Sequence, residues 1–116
     1  MKVQVVDVCG PVCVDPEDGE RVYEDIADAL AHGEPACVDF TGVTTLTSSF
    51  LNAAIGRLFG RFSRDDLATR VTYEGLDSTD RSLLRVVQEN AIRYYAASPA
   101  QRERLLEAAA GPVDNR

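Results

Sequence analysis

A chain of 116 residues, 45% of them hydrophobic, fits one globular domain with a core of its own. No apolar run approaches the roughly 20 residues of a bilayer-spanning helix, and MKVQVVDVCG at the N-terminus lacks the long apolar stretch of a signal peptide, so the expectation is a soluble, cytoplasmic protein without membrane association. The net charge of −7 is uneven: residues 1–47 hold ten acids against Lys2 and Arg21, residues 48–116 nine acids against ten arginines, and the acidic half argues against the basic footprint of nucleic-acid binding.

Residues 3–9, VQVVDVC, are rich in β-branched side chains and predict a strand. Residues 10–19, GPVCVDPEDG, predict a loop. Val22, Ile26, Ala29 and Leu30 recur at helical spacing and predict a helix over 20–31, closed by His32 and Gly33. Residues 36–41, ACVDFT, predict a second strand, apolar enough to be central and covered on both faces. A helix is expected from Ser49 to Phe62 and a third strand over 69–74. Asp77 or Ser78 then caps a helix over 80–97, with Leu83, Leu84, Val87, Ala91 and Ile92 facing inward. Ser98-Pro99 opens a fourth short helix that Gly111-Pro112 ends. This alternation implies an α/β fold: a small, mostly parallel sheet of three to four strands covered by about four helices. The expected boundaries are one domain over 1–111 and a flexible tail over 112–116.

Cys9, Cys13 and Cys37 are an odd set and read as reduced thiols used as small apolar fillers. With His32 the lone histidine, no zinc ligand set is completed. No metal and no cofactor is expected.

The block ACVDFTGVTTLTSSFLNAAIGRLFG, residues 36–60, carries the functional signal. At 3.6 residues per turn, Leu51, Ile55, Leu58 and Phe62 share the face that packs on the sheet. Ser49, Asn52, Ala53, Gly56 and Gly60 share the other, flanked by Arg57 and Arg61. A solvated face would show Lys, Glu or Gln; this one is small and almost uncharged. Either another part of the domain packs on the glycines, such as a C-terminal helix, or a partner protein docks there. At the helix entrance, Ser48 and Ser49 are either plain caps or acceptors of a phosphate, which the positive end of the helix would favour.

The pattern VDFTGVTTLTSSFLN, residues 38–52, with DGERV at 18–22 and VTYEGL at 71–76, resembles a STAS-like family of unknown function, itself similar to the STAS domains of anti-sigma-factor antagonists. The resemblance spans roughly residues 15–96. In the antagonists an Asp-Ser-Ser-Gly motif opens this helix, and a partner kinase that is also the anti-sigma factor phosphorylates its second serine. Carried over, that serine is Ser49, with Ser48 before it. Thr47 stands where the motif has Asp and Phe50 where it has Gly, and Phe50 could cover the helix start or reshape the partner surface. The resemblance implies a non-enzymatic regulatory module that docks a kinase-like ATPase, an anti-sigma factor or a sensor complex through Thr47, Ser48, Ser49, Phe50, Asn52, Ala53, Gly56, Arg57 and Gly60.

Two other classes compete with this reading. An enzyme would need a base for its serine; His32 sits at the far end of another helix, Asp39 approaches Ser49 only if it ends its strand, and no nucleophile elbow or phosphate loop is present. A small-ligand or nucleotide sensor would hold an anion at the Ser48/Ser49 helix N-terminus, near the strand C-termini. An exposed first strand or the glycine face offers a surface for a homodimer.

Overall fold

The β-branched opening run changes conformation midway. In the computed structural model, which describes residues 1–96, strand β1 covers only Lys2–Gln4 and helix α1 follows at Val5–Cys9. The expectation of one strand to Cys9 is corrected. Val5, Val8 and Cys9 stand at i, i+3 and i+4, and all three join the core. Burial of that stripe outweighs the weaker strand preference of valine. The Gly10 amide closes the helix on the Val6 carbonyl at 2.8 Å.

The predicted loop 10–19 is also divided. Strand β2 is Val12–Cys13, and helix α2, Pro16–Ala31, begins four residues before the expected Glu20. Pro16 takes the first helical turn, where a missing N–H costs nothing, and Glu17 and Asp18 complement the dipole there. Val22, Ile26, Ala29 and Leu30 are buried, as their spacing predicts. His32 is the C-cap, and Gly33 follows at φ 79°, the left-handed conformation glycine adopts without strain.

Strand β3 is Ala36–Asp39, two residues shorter than expected, and strand β4, Thr45–Leu46, was not expected. Helix α3 runs Ser48–Ala54, and a 3-10 helix covers Gly56–Gly60, in place of one helix from Ser49 to Phe62. Helix α4, Arg64–Arg70, replaces the start of the predicted third strand, so strand β5 is Val71–Glu74. The Ser63 hydroxyl caps α4, accepting the Asp66 amide at 3.0 Å. Helix α5 is Ser78–Ala96; Asp77 accepts the Asp80 amide at 2.8 Å. Leu84, Val87 and Ala91 are buried, with Leu83 packed against the core. The predicted fourth helix and tail lie outside the described residues.

The architecture is α/β. Among the described residues the strands form two parallel sheets, one of order β1-β3-β5 and one pairing β2 with β4. In the first, Val3, Val38 and Tyr73 share a row, flanked by Ala36 and Val71, and all pack into the core. The alternate residues face the other way: Lys2, Gln4, Thr72 and Glu74 are exposed, Cys37 half-buried and Asp39 buried. β3 is the central strand as expected, but among the described residues only one face of the sheet carries the apolar core.

Candidate functional site

The entrance to α3 is built by the small sheet. β2 and β4 pair Val12 with Thr45 and Cys13 with Leu46. The next residue, Thr47, donates its amide to the Cys13 carbonyl at 3.2 Å and its hydroxyl to the Val14 carbonyl at 3.2 Å. The same hydroxyl oxygen accepts the Phe50 amide at 3.3 Å. Thr47 is therefore the helix cap, tied both to α3 and to the strand that precedes α2. Ser48 and Ser49 occupy the first two helical positions with exposed side chains. Capping is done before the chain reaches them, and neither hydroxyl makes a hydrogen bond among the described residues.

The rest of the predicted docking set divides. Asn52, Arg57 and Gly60 are exposed, and Thr47 is half-buried. Phe50 is completely buried, so it neither covers the helix start nor shapes the surface; it is a core anchor. Ala53 is buried against α2: a Cβ built on Gly19 would lie 2.8 Å from the Ala53 Cβ. Gly56 is buried under α5, with Val87 and Ala91 at 3.7 and 3.8 Å from the position of a Cβ. At Gly60 a Cβ would lie 2.5 Å from the Tyr95 ring. Ala53, Gly56 and Gly60 thus serve close packing within the chain, the first of the two readings the sequence allowed for this face. Arg57 leans towards α2, pairing with Glu20 at 3.3 Å and stacking over the Tyr23 ring at 4.7 Å.

Two residues escaped the sequence reading. Val12 and Val14 are 50% and 36% exposed on either side of buried Cys13, and Val14 touches the cap through its carbonyl. Val12, Cys13 and Val14 are a short unbroken apolar run in a segment that its glycines and prolines mark as loop, so no period in the sequence singles out the two exposed valines.

The groups weighed for catalysis are engaged elsewhere. His32 Nδ1 lies 2.7 Å from the Asp28 carbonyl at the end of α2. Asp39 accepts the Thr41 amide at 2.9 Å and its hydroxyl at 2.6 Å, with Lys2 at 3.5 Å. The Thr41 hydrogen bonds, chiefly that of the hydroxyl, hold the Asp39 carboxyl below the usual range, and Lys2 adds to them. Gly75, at φ 77°, makes room for this turn; a Cβ there would lie 2.4 Å from the Thr41 nitrogen. Among the described residues, no three His, Cys, Asp or Glu side chains gather as metal ligands, and no helix is long and apolar enough to cross a membrane.

Compared with known proteins, no curated protein and no solved structure matches the chain. The family model described as a STAS-like domain of unknown function (DUF4325) matches residues 18–81, from the first turn of α2 to the first turn of α5. That span is more than half of the sequence and includes both the capped helix entrance and the central strand, and the chain belongs to this STAS-like family.

Proposed function

We propose that this protein is a non-enzymatic regulatory module that docks a protein partner through the entrance of α3 and the adjoining β2–β4 pair. The observation that carries this reading is the placement of Thr47. By taking the cap, it leaves two adjacent serine hydroxyls exposed and unbonded beside two exposed valines. Apolar side chains next to unpartnered polar groups are what a docking surface offers. The partner class follows from the resemblance to anti-sigma-factor antagonists: a kinase-like ATPase, an anti-sigma factor or a sensor complex.

Regulation is assigned to Ser49. A phosphate there would add about two negative charges to an edge whose apolar contacts come from Val12 and Val14. Arg57, on the 3-10 helix that follows α3, already pairs with Glu20, so it does not compensate the added charge, which opposes docking.

The test is a pull-down from native lysate with wild type, Ser49→Ala, Ser49→Glu and Val12→Asp as baits, read by mass spectrometry. A protein held by wild type and Ser49→Ala and lost with Ser49→Glu and Val12→Asp is the expected result. Equal capture by all four baits discards the docking edge. Loss with Val12→Asp alone keeps the edge and discards the serine switch.

A further inference from the structure

We propose that the partner docks by strand addition: an extended segment of a protein, apolar at alternate positions and free of acidic residues, pairs with the open edge of β2. The proposal rests on the docking role assigned above to the β2–β4 pair and names what that pair receives.

The open edge follows from the hydrogen bonds of the small sheet. The Pro11 carbonyl accepts the Thr45 amide and the Cys13 carbonyl accepts the Thr47 amide, both at 3.2 Å, so Cys13 turns its backbone towards β4. Successive residues of a strand turn their amide and carbonyl to opposite sides, so Val12 turns both away from β4. Among the described residues, neither of these groups has a hydrogen-bond partner, and nor does the Val14 amide. A row of free donors and acceptors on a strand edge is a template for another main chain.

The outer strands of the larger sheet are guarded in a way that β2 is not. β1 carries Lys2 and β5 carries Glu74, and the two side chains pair at 3.5 Å across the open face. Charge on an edge strand resists further pairing. β2 has no charged residue, and Val12 and Val14 are exposed beside its edge.

The chemistry of the edge selects the occupant. Bare amides and carbonyls in a row are matched by a polypeptide backbone. Val12 and Val14 flank buried Cys13, so they share one face of the strand, and a neighbouring strand meets them with alternate side chains. Next along the chain, Asp15 and Glu17 are exposed and make no ion pair among the described residues, whereas Arg21 and Arg57 are taken by Asp18 and Glu20. This negative rim turns away an acidic segment, a nucleic acid and an anionic membrane. It also turns away a second copy of the chain, which brings the same acids and a net charge of −7.

The experiment selects a phage library of short random peptides on the full chain, synthesises the most enriched peptide, and follows hydrogen exchange of the chain's backbone amides as that peptide binds. The expected peptide alternates apolar and polar residues without acids, and its binding slows exchange at Val12. Val12→Pro keeps an apolar side chain and removes the outward N–H, a change that an edge position accommodates, and should weaken binding about fivefold. A peptide with one polar residue changed to Glu should bind about two- to fivefold more weakly, and Asp15→Asn with Glu17→Gln should restore it. Enrichment of acidic or helical peptides, no enrichment, or binding that leaves Val12 exchange unchanged overturns strand addition. Equal binding by the Glu-containing peptide overturns the choice of an acid-free segment, and slow Val12 exchange in the free chain together with self-association assigns the edge to a second copy instead. If Val12→Pro loses the native amide spectrum, exchange in wild type decides. The lysate partner separates this proposal from the reading beneath it: a protein lost with Val12→Asp but held in full by Val12→Pro keeps the docking edge and overturns strand addition, whereas equal capture by every bait discards both.

Discussion

Gly19 of α2 lies so close to the backbone of Phe50 in α3 that a Cβ on Gly19 would sit 2.5 Å from the Phe50 carbonyl oxygen. The contact lies in the most extensive interface between two helices among the described residues, that of α2 with α3. Gly19→Ala forces them apart. Overpacking of this kind costs about 1–3 kcal/mol, and urea unfolding should show a lower midpoint with an unchanged slope. A midpoint equal to that of wild type would mean that the helices separate freely.

Thr47→Ala removes the hydroxyl that serves α3 and Val14 together. The expected loss is about 1 kcal/mol. Thr47→Ser keeps both hydrogen bonds and should recover most of it in the same unfolding measurement. By contrast, Ser48→Ala and Ser49→Ala should each shift stability by less than about 0.5 kcal/mol, as expected for exposed side chains without partners. A large loss at either serine would make it the cap.

Tyr73 packs against the core from β5, and burial pushes its phenol up to about 12, with a hydrogen bond to Gln88 acting in the opposite sense. In the unfolded chain the phenol ionises near 10. The folded value is the higher one, so the stability is fully present below the unfolded value and is lost as pH rises through the window from about 10 to 12. Tyr73→Phe should flatten that part of the stability profile. An unchanged alkaline slope in the variant would assign the loss to another group.

Asp39 behaves in the opposite direction. Its carboxyl is depressed by Thr41 first and Lys2 after it, so its contribution is present above the ordinary carboxylate value and is lost as pH falls through the folded value. Asp39→Asn should be less stable than wild type at neutral pH and should lose less on acidification. Parallel acid profiles for the two proteins would remove Asp39 from the account.

Much of the fold was legible because periodicity reports burial. The stripe of Val22, Ile26, Ala29 and Leu30 located α2, and the apolar run at 36–39 located the central strand. What failed were segments in which local composition and tertiary demand disagree. Val5 to Cys9 has strand-like residues, but its inward positions follow a helical spacing. Asp15 to Gly19 has turn-like residues, yet Pro16 starts a helix and Gly19 is needed for contact across helices rather than for a turn. Ser63-Arg64-Asp65-Asp66 is a helix start with a capping serine and acids in the first turn, hidden by the assumption that the preceding helix was unbroken.

The candidate site was legible in part for the same reason. A helical wheel places residues around one axis, but the axis ends at Ala54 and a 3-10 helix takes over at Gly56. The wheel could identify the small face and not what fills it. Its exposed members, Ser49, Asn52 and Gly60, were separable from the buried ones, Ala53 and Gly56, only once α2 and α5 were in place. Val12 and Val14 depend on a strand of two residues, which is too short for any pattern to reveal alone.

The parallel pairings have a kinetic consequence. Lys2 meets Cys37 and Ala36 meets Val71, each 35 residues apart, while Val12 meets Thr45 33 residues apart. No hairpin shortens any of these closures, so every strand must wait for a long stretch of chain to be drawn in. Helix α2, which lies inside the first closure and touches both β1 and β3, is the natural place for the folding nucleus. Substitutions on its buried stripe should slow folding, whereas those at the α3–α5 contact should chiefly hasten unfolding.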